Sequence, residues 1–402
     1  MDTEQQPGRR YRVLMIAPTS FFSDYGCSVR ILEEIRALRR LGHEVSVCTY
    51  RNGQDVPGLA IKRTPTIPFR EHYEVGSSPH KIAFDILLFW TVFYHALRRR
   101  PDVIHAHMHE GAFIGLVVGG LLRIPMVFDF QGSLTGEMMD HGFLRRESPF
   151  YRPLLRLETA IDRRSPLVLT SSHNARNLLV SEFGCRPERV HTVPDGVDTD
   201  AFFPPADRER ARLASLRARL KIPPDRKIVV YLGLLAKYQG TDALLEAASA
   251  MLRRQADLHF LIMGFPAVDI YRQRAKQLGI GNHTTFTGKI AYEQARDYLA
   301  LGNVAVAPKL SLTEGSGKIL NYMAMGLPTA AFETPVSREY LGQEGFYAER
   351  GDAGSLAEAI LRAMDDPDAV RRSAAVRRMA MEKHTWGQAA MTIVSAYGLV
   401  SS

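Results

Sequence analysis

The chain of 402 residues predicts an α/β protein made of two doubly wound parallel-sheet domains that face each other across a cleft. Three observations carry this. Short apolar runs without polar alternation recur from end to end, as strands buried on both faces require. Runs with helical spacing separate them, as in Val29–Leu41 and Thr241–Leu252. Between Pro204 and Arg226 the chain turns rich in charge and proline (PPADRERARLASLRARLKIPPDR), and a second strand–helix series begins after it. The boundary is therefore placed at 203/204.

In the first unit, Arg12–Ala17 is a buried strand, followed by a loop at Pro18–Ser28 that contains Gly26. The helix from Val29 closes at Gly42-His43, and Glu44–Tyr50 is the second strand. This βαβ opening places a loop at the carboxyl end of the first strand, where open α/β sheets bind ligands. Gly26 belongs to no G-x-G-x-x-G pattern, so the dinucleotide fingerprint is absent. Ile82–Leu97 is the most apolar segment, interrupted by Asp85 and His95 and followed by Arg98, Arg99 and Arg100. As a helix it would be about 24 Å long, short for a membrane span. It is expected to cover the sheet; a second reading has Trp90, Phe93 and Tyr94 pressing into a membrane surface beside the arginines.

Asp102–His107 and Pro125–Gln131 are strands that end in polar residues. His105, His107 and His109 alternate, but they share a face only if the strand continues, and no further carboxylate or cysteine completes a ligand set. No metal is expected. Leu167–Ser172 and Val190–Val193 are further strands, closed by a turn at Pro194–Asp198. The second series runs through strands at Lys227–Leu232, His259–Met263 and Thr284–Thr287.

It leads to Val306–Pro328, where an apolar strand ends at Pro308 and Glu314 lies between Lys309 and Lys318. Gly315 and Gly317 open a helix expected at Ile319–Met325. Glycines at a helix start expose amides without intrahelical partners, and the dipole there favours an anion. Amides and lysines on one side and a carboxylate on the other suit a phosphate joined to a polyol, as in a nucleotide sugar.

Composition narrows the setting. The net charge of +8 comes largely from scattered arginine pairs without interleaved aromatics or zinc spacing, so no nucleic-acid partner is expected. An anionic membrane surface stays among the possible partners. Cys27, Cys48 and Cys185 form no even framework, which points to a reducing cytoplasm. Met1–Arg12 is polar and lacks an apolar signal region.

Several stretches together resemble the retaining glycosyltransferases of family 4, which have the two-Rossmann GT-B fold. They are Leu41–Val45, Asp102–His107, Val193–Asp198, Gly233 with Gly240, Phe286-Thr287-Gly288, and Glu314 followed by Tyr322–Pro328. The resemblance implies transfer of a sugar from a nucleotide-diphosphate donor on the C-terminal domain to a glycan or lipid-linked acceptor on the N-terminal one. It implies catalysis by cations and amides, without a cofactor or a metal in most members. It also implies that the last helix, at Trp386–Leu399 within 386–402, returns to the N-terminal domain. Glu314 would grip donor-sugar hydroxyls, the amides of Gly315, Ser316, Gly317 and Lys318 the diphosphate, and Asn321 the ribose. Gly233, Gly264, Gly288 and Lys289 would line the nucleotide side, with the last two near the base. Gly26, His107, His109 and Gln131 would lie toward the acceptor.

Three positions depart from the family pattern. Leu234 and Gln239 stand where an Arg and a Lys usually bind the diphosphate, which turns attention to Lys237, Lys309 and Lys318. Asn321 stands where a second glutamate is expected, one residue early; a shortened loop explains this better than Thr313 in the first glutamate's place, because Glu314 and Gly317 keep their mutual spacing. Gln131 replaces a histidine, and it orients a hydroxyl but takes no proton near neutral pH. In a retaining reaction the leaving phosphate can take it. The same departures motivate a rival reading, a binding or scaffold module that keeps the fold without turnover.

Overall fold

The computed structural model describes residues 9–23, 26–66 and 81–401. The polar start of the chain and part of the expected Pro18–Ser28 loop lie outside them. One sheet holds β1 (Arg12–Ala17), β2 (Glu44–Thr49), β3 (Ala60–Arg63), β4 (Val103–His107), β5 (Met126–Phe130), β6 (Val168–Thr170) and β7 (Val190–Thr192). Its spatial order is β3-β2-β1-β4-β5-β6-β7. The other holds β8 (Lys227–Leu232), β9 (Leu258–Met263), β10 (Thr284–Gly288), β11 (Val304–Ala307), β12 (Thr329–Phe332) and β13 (Phe346–Ala348), in the order β10-β9-β8-β11-β12-β13. All pairings between these strands are parallel.

The apolar runs expected to be strands are strands, and the reason is burial. All five residues of β4 and of β5 are buried, because helices cover both faces of the sheet. β3, β12 and β13 carried no strand signal. β3 reads AIKR and lies half-buried at the sheet edge, while β12 reads TAAF, whose small residues have weak β preference but are wholly buried.

The helix Met108–Leu122 starts directly after β4 and had no expected counterpart. Gly111, Gly115 and Gly119 recur every fourth residue, so the helix lies close on the sheet: a methyl group on Gly115 would be 2.6 Å from the Met126 sulfur. Large side chains are thereby left for its outer face.

The last helix, Trp386–Ser401, contributes Trp386, Ala389, Ala390, Ile393, Ala396 and Tyr397 to the core under β1 and the helix Gly26–Arg40. Tyr397 Oη lies 2.7 Å from Nδ1 of His105. The chain thus returns to the first sheet, and Val197 bridges to Thr385 beside the outgoing connection. Trp386 is 4% exposed and packs against Gly196 at this double crossing. Trp386→Ala should cost roughly 3–5 kcal/mol through the cavity it leaves. Urea unfolding measures it, and a loss below about 1 kcal/mol would show that the crossing is not a packed core.

Candidate active site

Each sheet has one point where the strand order reverses, and loops leaving the carboxyl ends of the two strands there form a crevice. In the second sheet the reversal lies between β8 and β11. Those strands lead into Gly233–Gly240 and Pro308–Ser316. In the first sheet it lies between β1 and β4; β1 leads toward the helix start at Gly26, and β4 runs directly into the helix at Met108.

The two lysines of the second crevice have separate tasks. Lys309 Nζ lies 2.5 Å from Oε2 of Glu314 and donates to the Gly315 carbonyl at 2.7 Å, so it holds the loop and its carboxylate in place. Lys318 Nζ donates to Oε1 of Gln239 at 3.0 Å and to the Tyr231 hydroxyl at 3.3 Å, and lies over the Tyr231 ring. Burial, and then the nearby Lys309 charge, pull the Lys318 ammonium down to about 7. Gly233 leaves room for it, since a methyl group there would be 2.5 Å from Nζ. Lys237 is exposed and stands apart from this pair.

The helix expected at Ile319–Met325 is Gly317–Ala324. Its N-cap, Ser316, makes no side-chain cap hydrogen bond, and the buried Ser316 hydroxyl has no partner among the described residues. The Ile319 amide donates to the Ser316 carbonyl at 2.9 Å, which leaves the Gly317 and Lys318 amides to face an anion beside the Lys318 ammonium. Asn321 lies one turn further along the same helix. Gly264, at the end of β9, packs against the Gly233 carbonyl. Gly288 ends β10, and Lys289 lies over the Phe265 ring and lines a 370 Å³ cavity shared with Gln54–Pro57 of the other half.

On the first-sheet side the organising group is Arg30, which sequence reasoning missed. Its guanidinium grips Asp129 with two hydrogen bonds of 2.8 and 3.0 Å, donates to Asp195 at 2.7 Å and lies 3.0 Å from Glu34. Burial opposes ionisation of Asp129, but Arg30 and the His107 contact hold its carboxyl far below the usual range. Burial pushes the Glu34 carboxyl well above the usual range, against the pull of the Arg30 guanidinium. His107 Nδ1 and Gln131 Nε2 both lie 2.9 Å from Oδ2 of Asp129. His107 is fully buried behind the half-buried Gln131.

His109 belongs elsewhere. It packs against Phe128 and Phe130 and lies 3.2 Å from Asp162; burial alone would lower it, but Asp162 raises it to about 9. Gly26 opens the helix Gly26–Arg40 at the surface.

The expectation that no carboxylate completes a set with the histidines is corrected by the fold, which brings in carboxylates distant in sequence. Glu34 and Asp129 lie within ligand reach of His105 and His107, and Glu158 and Asp162 of His109. In the first group the Arg30 guanidinium is already paired with both carboxylates. In the second, Glu158 accepts from the Ser133 hydroxyl and from the amide and hydroxyl of Thr135, fixing the loop after β5.

The two sides meet at Glu314. A methyl group on Gly132 would be 3.2 Å from Cγ of Glu314 and 2.2 Å from Oε1 of Glu137, so carboxyl groups from both halves share one space. Burial, then the Glu314 charge, push the Glu137 carboxyl well up, which favours its neutral form. The rings of His141 and Tyr238 meet across the cleft at 4.1 Å, tilted by 34°, and Asn174 donates to the Leu312 carbonyl at 2.7 Å. Buried Ser171 Oγ, Thr313 Oγ1, Glu314 Oε1, Ser316 Oγ and His141 Nε2 have no hydrogen-bond partner among the described residues. Such a concentration of unpaired polar atoms marks a place where a polar ligand completes the bonding. Glu137, His141, Tyr238 and Ser171 had no sequence signal, since their proximity to Glu314 arises only from the docking of the two halves.

The two facing sheets and their paired crevices define a GT-B protein. Solved structures agree: sucrose-phosphate synthase from Thermosynechococcus elongatus has a TM-score of 0.81 at 18% identity over 97% of this chain and 99% of that one. Anabaena HepE in complex with UDP-glucose has 0.76 at 16% identity over 97% and 100%. The family model "Glycosyltransferase Family 4" matches residues 26–201 and "Glycosyl transferases group 1" residues 226–366. Together they span most of the chain, which belongs to the family-4 type of glycosyltransferases. A similar relative is D-inositol 3-phosphate glycosyltransferase 1 of Catenulispora acidiphila, 25% identical over 92% of this chain and 90% of its own length.

Arg30→Met should be strongly destabilising, because it leaves Asp129 and Asp195 without their cation. A loss of roughly 3–5 kcal/mol is expected for removing one partner of a buried charge network. Chemical denaturation reads it directly, and a change under about 1 kcal/mol would mean that the network carries no structural role.

Proposed function

We propose that the chain transfers a sugar from a nucleotide-diphosphate sugar to a glycan or lipid-linked acceptor, with retention at the anomeric carbon. In this reading residues 204–385 bind the donor, residues 1–203 with the returning helix bind the acceptor, and the work is done in the cytoplasm. The observation that carries it is the open N-terminus of the helix Gly317–Ala324, flanked by buried Lys318 and by a carboxylate fixed in place by Lys309. It offers a diphosphate its amides and ammonium, and a sugar its hydrogen-bond acceptor. Anabaena HepE is solved in complex with UDP-glucose, and the Catenulispora relative is a D-inositol 3-phosphate glycosyltransferase by name.

The chemistry follows from that layout. The acceptor oxygen forms a bond to the anomeric carbon while the bond from that carbon to the diphosphate breaks, both electrons leaving with the diphosphate. Lys318 and the amides of Gly315–Lys318 stabilise the charge that develops there. The acceptor proton passes to the departing phosphate oxygen. Gln131, held by Asp129, orients the acceptor hydroxyl. His107 positions that pair from behind. Glu314 holds donor-sugar hydroxyls, while neutral Glu137 offers a further hydrogen bond without like-charge repulsion.

A panel of UDP-, GDP-, ADP- and TDP-sugars, with release of nucleoside diphosphate as readout, tests the reading. At least one donor should be turned over, and Glu314→Gln should lower kcat/KM roughly 10²-fold, in the range for losing one preorganised polar group. Binding without turnover of any donor, with or without acceptors, would favour the scaffold reading.

Lys318 makes a separate prediction. In the empty site its ammonium loses its proton as pH rises through about 7. A diphosphate beside it favours the charged form, so nucleotide binding at pH 8 should take up about one proton, and affinity should fall as pH rises above about 7. Calorimetry with UDP in buffers of different ionisation heat measures this. Lys318→Met should abolish the uptake and weaken binding by roughly 10–100-fold. Uptake that persists in Lys318→Met would assign the proton to another group.

A further inference from the structure

The helices Lys81–Arg98 and Met108–Leu122 lie side by side on the first sheet. An ion pair between Lys81 and Glu110 joins their N-terminal ends, and Arg100 donates to the Leu122 carbonyl at 3.3 Å at the other end. They therefore run in the same direction and present one broad outer face.

That face is apolar. Phe84, Leu88, Val92 and Ala96 of the first helix point into the core, while Ile82, Ile86, Trp90, Tyr94 and Leu97 are 49–68% exposed. Phe93, expected from the sequence to face outward with Trp90, is half-buried and packs against the core. In the second helix the glycines occupy the inner side, and Phe113, Val117 and Leu121 are 37–65% exposed outside. Eight large apolar side chains on two adjacent helices exceed the scattered exposure normal for a surface.

Charge decides what covers them. Arg98, Arg99, Arg100 and Arg123 gather at the C-terminal ends, whereas no Asp or Glu occurs from Ile86 to Pro101 or from Gly111 to Phe128. A second copy docked through this face would find no carboxylate on it to meet those arginines. Anionic lipid headgroups meet them, with the apolar stripe entering the acyl boundary and Trp90 and Tyr94 at the interface. No described helix is long and apolar enough to cross a membrane, so the contact is with a surface.

We propose that this two-helix face docks the protein on an anionic bilayer. The N-terminal ends of both helices lie on the acceptor side, where the Glu110 charge acts on Glu137. Docking therefore turns that side of the cleft toward lipid-borne acceptors, a consequence that rests on the glycosyltransferase reading. The docking itself does not.

Vesicle cosedimentation of the full chain tests it without any donor. Binding is expected to phosphatidylcholine vesicles containing roughly a third phosphatidylglycerol, and at least about tenfold weaker binding to phosphatidylcholine alone or at high salt. Trp386 is buried, so a blue shift of tryptophan emission on binding reports Trp90. Trp90→Ser with Leu121→Ser should reduce binding to anionic vesicles by at least about tenfold, with the unfolding midpoint and UDP affinity unchanged. Arg99→Gln with Arg123→Gln should weaken it more at low salt than at high salt. Absence of binding to anionic vesicles would overturn the proposal. So would binding insensitive to all four substitutions, or a dimer in sedimentation velocity that Trp90→Ser dissociates.

Discussion

One buried guanidinium sets the geometry of the cleft. Arg30 draws together Asp129 at the end of β5, Asp195 in the connection between the halves, and Glu34 on its own helix. Buried carboxylates without a cation are costly, so the three elements are held wherever Arg30 can reach them all. Asp195 passes the constraint across the cleft: a methyl group on Gly315 would be 2.5 Å from its Oδ2, so the loop carrying Glu314 approaches closely only because it has glycine there. A network on the first-sheet side thereby shapes the loop on the second-sheet side.

Once the loop is fixed, its charged groups divide the work. Lys309 is spent on Glu314 and the Gly315 carbonyl, and Lys318 is left beside Gln239 and the open helix start. Gln239 therefore accepts from Lys318, and the positive charge enters the crevice from the start of the helix Gly317–Ala324. A buried ammonium near neutrality is poised for this, since an arriving anion restores its charge.

Much of the fold was legible in the chain because parallel strands covered on both faces leave unbroken apolar runs. Arg12–Ala17 and Lys227–Leu232 are strands over the same residues that the pattern indicates. β12 escaped notice because burial, not side-chain preference, makes TAAF a strand. The helix Met108–Leu122 escaped because glycines take three of its buried positions while Phe113, Val117 and Leu121 lie outside, which blurs the usual apolar pattern. At the site, the loop around Glu314 was readable from local chemistry. Arg30 was not, because Asp129 and Asp195 are 99 and 165 residues away and nothing local marks it. Lys309 and Lys318 looked alike in the sequence, and the side chains that meet them in space tell them apart.

The account stands on one location for the diphosphate. A crystal structure of the full chain with UDP or a UDP-sugar would test it most directly. The diphosphate oxygens should lie about 2.7–3.2 Å from Lys318 Nζ and from first-turn amides of the helix Gly317–Ala324. A diphosphate bound elsewhere, with Lys318 still turned only toward Gln239 and Tyr231, would contradict it.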